Sequence, residues 1–134
     1  NLICSKDVSG TIAELPGGNV YQMGFVIIRT LGNESEILML CVLPEYRREG
    51  LATSLMINVI EKAIKLGVTS IFLEVSEDNH KAKSMYKKVV FKNVGTRKKY
   101  YTSNNKRSDA IVKKLFLNEK ETQFIYSKLK KQYK

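Results

Sequence analysis

Arg47-Arg48-Glu49-Gly50-Leu51-Ala52 is the stretch of this 134-residue chain whose residue types could hold an anion. An apolar run, Ile37–Val42, leads into it through Pro44-Glu45-Tyr46, and a long amphipathic segment begins where it ends. The first N–H groups of a helix have no intrahelical partner, and the helix dipole adds partial positive charge beside them. Gly50 and the small Ala52 would let a pyrophosphate come close to the main chain, while Arg47 and Arg48 add formal charge. A second group lies downstream. Glu74 sits in the apolar run Phe72-Leu73-Glu74-Val75, where an acid costs free energy unless it is paired or used. Alternation places it on the Phe72 side of a strand, opposite Leu73 and Val75. Tyr86 falls on the apolar face of a helix, a position that also suits a core tyrosine. Asn79 is a preferred helix N-cap type. His80, the only histidine, has no Cys, Asp or second His at a metal-like spacing and reads as a solvated first-turn residue, so no metal is expected.

The elements that must position these residues follow from periodicity. Thr11–Leu15 reads as a short strand and Pro16-Gly17-Gly18-Asn19 as a turn. Val20–Thr30 and Glu36–Leu43, separated by Gly32-Asn33, continue an antiparallel meander. Leu51, Leu55, Val59 and Ala63, flanked by Ala52, Met56, Ile60 and Ile64, make one apolar helical face, and Gly67 is a helix stop. Ser70–Val75 is a strand, and Asn79–Val89 a helix with Ala82, Met85, Tyr86 and Val89 inward. Phe91–Thr102 and Asp109–Leu117 read as closing strands, and Asn118-Glu119-Lys120-Glu121 opens a lysine-rich helix. The layout is α+β, one domain over residues 1–134, with 118–134 as a basic helical extension.

Charge is uneven along the chain. Residues 1–80 carry 6 Lys/Arg against 10 Asp/Glu, a balance of −4, and residues 81–134 carry 17 against 3, a balance of +14. The basic half favours anionic partners, although lysines also serve simply to solvate exposed faces. Cys4 and Cys41 fit neither a disulfide framework nor a metal site, and Cys41, inside an apolar run, is expected to be a buried thiol. The longest apolar runs fall short of a membrane span. The residues after Asn1 lack the charged-then-apolar pattern of a secretory leader. A reducing cytoplasm is the expected setting.

Arg47-x-x-Gly50-x-Ala52 resembles the Gln/Arg-x-x-Gly-x-Gly/Ala signature of the GNAT acetyltransferase superfamily, which holds the pyrophosphate of coenzyme A. Leu73-Glu74-Val75, Asn79, Tyr86, Phe91, Gly95-Thr96-Arg97, Tyr100-Tyr101 and Asp109-Ala110 narrow the likeness to ribosomal-protein-alanine N-acetyltransferases, over about residues 20–112. The resemblance implies a mixed, mostly antiparallel sheet flanked by helices, and acetyl-CoA as cosubstrate. It implies that Leu40, Cys41 and Val42 hold the pantetheine arm and thioester through main-chain groups, with an oxyanion donor near Val42. Arg47, Arg48, Glu49, Gly50, Leu51, Ala52 and Thr53 would take the pyrophosphate, and Asn79 would also contact the coenzyme. Glu74 would accept the acceptor's proton through water, and Tyr86 would protonate the departing sulfur. One of Tyr100 and Tyr101 would line a peptide groove while the other packs. The implied acceptor is the N-terminal alanine of a small-subunit ribosomal protein, with ribosome or RNA contact through the basic half. A broader amino-terminal or small-amine acetyltransferase, and a non-catalytic module that binds coenzyme A or the ribosome, stand as alternatives.

Three departures bear on that likeness. Residues 1–10 are too few for the strand and two helices that the family places before the meander, so the chain is expected either to be trimmed or to lack that wall. Val90-Phe91 stands where the family has Gly-Phe, and Val resists the left-handed conformation common there, so a different turn after Tyr86 is expected. Ser76, followed by Glu77-Asp78, replaces the family's Arg after Leu-Glu-Val.

Overall fold

A computed structural model describes residues 8–14, 22–44, 50–98 and 108–133. β1 (Val8–Glu14), β2 (Gln22–Leu31) and β3 (Glu34–Val42) form the antiparallel meander that the turn residues predict, with β1 starting three residues earlier than Thr11. α1 (Leu51–Lys65) then crosses over to β4 (Ser70–Ser76), which lies parallel to β3. A parallel neighbour requires such a crossover, and a helix is its usual form. α2 (His80–Lys88) leads to β5 (Lys92–Arg97), β6 (Ala110–Phe116) follows, and α3 (Lys120–Tyr133) ends the described chain. The sheet order is β1-β2-β3-β4-β6-β5, antiparallel at every pairing except β3–β4.

Alternation sorts the sheet into two faces. Val26, Ile28, Ile37, Ile71, Leu73, Val75, Leu115 and Leu117 belong to the buried cluster. The helices cover them with Met56, Val59 and Ile60 of α1, Tyr86 of α2 and Leu129 of α3. The opposite face carries ion pairs: Arg29–Glu36 at 2.7 Å, Lys114–Glu34 at 3.3 Å and Arg97–Glu74 at 3.0 Å. The apolar helical face read from sequence is correct for Leu55, Met56, Val59, Ile60 and Ala63. Ile57 and Ile64 share a flank seven residues apart, which is covered at Ile57 (3% exposed) and open at Ile64 (49%).

Three expectations change. Lys113, a lysine of the basic half where solvation of an exposed face is the plain expectation, stands with Lys114 on β6, an interior strand between β4 and β5. Lys113 turns onto the helix-covered face and is buried, its Nζ donating to Asn93 Oδ1 at 2.7 Å. Burial, reinforced by the charges of Lys83 and Lys87, holds its pKa below the usual lysine value. Cys41 is half-buried rather than buried. Its side of β3 lines an opening in the sheet. Val90, finally, adopts φ 57, so the left-handed turn after α2 survives without glycine.

Candidate active site

β3 and β4 pair only at Glu34↔Ser70, Ser35↔Ile71 and Glu36↔Phe72. The closed end of this pair is pinned by the hairpin turn: the Thr69 N–H and hydroxyl both donate to the Asn33 carbonyl, at 2.7 and 3.2 Å. Beyond Glu36 the two strands share no ladder partners. The register against β2 jumps there, with Ile27 opposite Met39 and Ile28 opposite Ile37, so Leu38 is an extra residue in β3. Such a bulge bends its strand and re-aims the side chains that follow. The strands diverge into a cleft of about 1240 Å³.

One wall is β3 and the start of α1. Leu40, Cys41, Val42, Gly50, Leu51, Ala52 and Thr53 all border the cleft. Gly50 is the N-cap at φ 75, a left-handed geometry that glycine adopts at little cost. Among the described residues no side chain caps α1 and its first turn holds no acid, so its opening N–H groups and dipole border the cleft. Arg47, Arg48 and Glu49 lie outside the described residues, as do Tyr100 and Tyr101.

The other wall is β4 and α2. Glu74 borders the cleft, its side chain 24% exposed and its Oε1 accepting from Arg97 Nη1 at 3.0 Å. Tyr86, 7% exposed, borders it from α2, and burial pushes its phenol up from 10.0 to about 12, so it stays protonated at neutral pH. Asn79 also borders the cleft, and its Oδ1 accepts from the Ala82 N–H at 3.2 Å, the N-cap role its residue type suggests. Ser76 and Met85, outside the predicted set, also line this wall. Ser76 Oγ shares a hydrogen bond with Ser108 Oγ at 3.1 Å, a partner distant in sequence that no local pattern reveals. Among the described residues no cluster of three His, Cys, Asp or Glu could hold a metal, and no helix is long and apolar enough to cross a membrane.

A mixed sheet split at its parallel pair, with the start of a helix bordering the split, defines the α+β class of this fold. The chain belongs to the acetyltransferase (GNAT) family, whose family model matches residues 10–91. It is 32% identical over 88 residues to the ribosomal protein bS18-alanine N-acetyltransferase of Escherichia coli K12, across 66% of this chain and 60% of that protein. With the Haemophilus influenzae protein of the same name the identity is 32% over 96 residues, across 71% of this chain and 65% of the other. The chain thus matches somewhat under two thirds of the length of these relatives. Among solved structures, the Escherichia coli ribosomal-protein-S18-alanine N-acetyltransferase superposes with a TM-score of 0.78 at 26% identity, covering 86% of this chain and 72% of that one. Arabidopsis thaliana NAA60 in complex with acetyl-CoA shares the fold, with a TM-score of 0.73 at 22% identity over 86% of this chain and 79% of that one.

Proposed function

We propose that this chain transfers the acetyl group of acetyl-CoA to the amino-terminal α-amine of a protein, the N-terminal alanine of a small-subunit ribosomal protein being its acceptor. The observation that carries the reading is the joint presence of Glu74, Tyr86, Leu40–Val42 and Gly50–Thr53 around one cleft. Similar proteins named for that reaction support the acceptor. Acetyl-CoA supplies a thioester whose carbonyl carbon accepts an amine. Its pyrophosphate would lie against the N–H groups at the start of α1, joined by Arg47, Arg48 and Glu49, with Asn79 as a further contact. The main chain of Leu40, Cys41 and Val42 would hold the pantetheine arm and donate to the carbonyl oxygen as it gains charge. Glu74 would take a proton from the acceptor ammonium through water. Tyr86, still protonated, would donate to the departing sulfur.

The reading takes residues 1–134 as one domain acting in the cytoplasm, and gives the basic half a docking role on ribosomal protein or RNA. α3 supports that role: Lys120, Phe124, Lys128 and Lys131 are all exposed, with Lys128 Nζ 5.0 Å from the Phe124 ring centre. Because Leu129 of α3 lies in the core, the docking test is charge reversal of Lys120, Lys128 and Lys131, not truncation. The reversed chain should keep activity on a short peptide and lose salt-dependent binding to ribosomal particles. The decisive experiment is incubation with acetyl-CoA and a panel of amino-terminal peptides, read by mass. Transfer confined to the α-amine of alanine-starting peptides supports the proposal. Transfer to many amines supports the broader acetyltransferase, and coenzyme binding with no transfer supports a non-catalytic module.

A further inference from the structure

Arg97 and Glu74 meet although their strands are not neighbours. β6 lies between β4 and β5, so the guanidinium reaches across two inter-strand gaps, roughly 10 Å of sheet, passing over Ala110 and Val112. What brings it there is a register shift. Asn93 opposes Lys113, but Gly95 opposes Val112, so Val94 is an extra residue in β5. Without it, alternation would carry Arg97 to the face of Lys113 and Leu73. With it, Arg97 opposes Ala110 on the face of Glu74. Two further ion pairs of this face, Arg29–Glu36 and Lys114–Glu34, involve the stretch of β3 where the parallel pair is closed. The Arg97–Glu74 pair stands where the cleft opens.

The Arg97 side chain is 68% exposed, so this pair contributes little to stability through solvent-screened attraction. Its consequence is geometric. A carboxylate on a flexible stem, bordering a wide cleft, is drawn toward β5 by a donor fork that approaches along the sheet surface.

We propose that Arg97 is a positioning residue that fixes the Glu74 carboxylate for the acceptor amine, an inference that rests on the reading of Glu74 as the group receiving the acceptor's proton. The acceptor ammonium gives one proton through water to the carboxylate, and the freed nitrogen lone pair bonds to the acetyl carbon. The C–S bond then breaks, the departing sulfur takes the Tyr86 proton, and the nitrogen's surplus proton replaces it on Tyr86. A misdirected carboxylate slows that transfer without disturbing the coenzyme, whose pyrophosphate and pantetheine arm would lie against the β3–α1 wall.

The test uses the full chain, an alanine-starting peptide and acetyl-CoA, with Arg97→Met to keep length without charge and Arg97→Lys to return a cation. Arg97→Met should lower kcat by about 10- to 100-fold, the scale on which mispositioning by an ångström acts. Acceptor KM should change less than about threefold, and acetyl-CoA affinity by calorimetry should be unchanged. Arg97→Lys should recover part of the loss, and adding Arg97→Met to Glu74→Gln should cost little more. An unchanged or raised kcat in Arg97→Met overturns the inference while leaving the transferase reading intact. A matching loss of coenzyme affinity overturns it too, because the residue would then support the fold. A wild-type chain that acetylates no amine removes both.

Discussion

Two strand–turn–helix units face each other across the cleft, and they differ at both ends of their helices. In the β3–α1 unit the helix opens on Gly50 at φ 75 with no side-chain cap, and closes on Gly67 at φ 78. In the β4–α2 unit the helix opens under the Asn79 cap and closes on Val90 at φ 57. The closures use the same hydrogen bonds. Gly67 and Val68 N–H groups reach Ile64 and Ala63 carbonyls at 3.1 and 2.9 Å, and Val90 and Phe91 reach Lys87 and Tyr86 at 3.0 and 2.9 Å. This is a Schellman turn in both units, with its usual left-handed residue. A valine there costs about 1–2 kcal/mol. It is held by packing: Val89 is buried, and Phe91 sets its ring edge-on to Tyr86 at 5.5 Å. One unit leaves its helix start without a side-chain cap among the described residues. The other satisfies its own start and carries strain four residues beyond Tyr86.

The sharpest way to separate the two units is chemical. Glu74→Gln, on the β4 side, should lower turnover by about 10²–10⁴-fold while leaving coenzyme affinity nearly intact, as calorimetry and single-turnover rates would report. A loss under about threefold would assign the proton to another group. Gly50→Val, on the β3 side, should do the reverse. A β-branched residue at positive φ displaces the helix start and its N–H groups, so coenzyme affinity should fall about tenfold or more. Unchanged calorimetric affinity would break the division of labour.

Smaller effects test the two exits. Nothing stands within 4 Å of a Cβ added at Gly67, so Gly67→Val isolates the backbone cost and should destabilise by about 1–2 kcal/mol in denaturant unfolding. Val90→Gly should give back part of that cost. Its gain should stay below about 1 kcal/mol, because Val90 packs against the core and glycine loses that contact. If Val90→Gly destabilises, packing outweighs strain and the comparison fails.

A further test is pH-dependent. Burial raises the Tyr86 pKa from 10.0 to about 12, favouring the neutral form in the fold. The resulting stability is complete below about pH 10 and is lost as pH rises toward about 12. The Tm difference between the wild-type chain and Tyr86→Phe should therefore shift against the wild type above pH 10 and stay constant below it.

Much of this was legible locally. The 3.6-residue period from Leu51, the Gly67 stop, the alternation around Glu74 and the glycine turn before α1 are patterns among adjacent residues. Backbone sterics and solvent exclusion act on such patterns wherever the chain goes. Contacts between distant segments decided the rest. The order β4-β6-β5 placed Lys113 on an interior strand, where it is a buried donor to Asn93. Bulges at Leu38 and Val94 opened the cleft and swung Arg97 onto Glu74's face, which no single-strand pattern encodes because register exists only between strands. Val90 keeps a conformation that its own side chain disfavours because Phe91 and Tyr86 pack across the turn. Local rules set which elements form and which residues face inward, and tertiary packing set which of those residues meet.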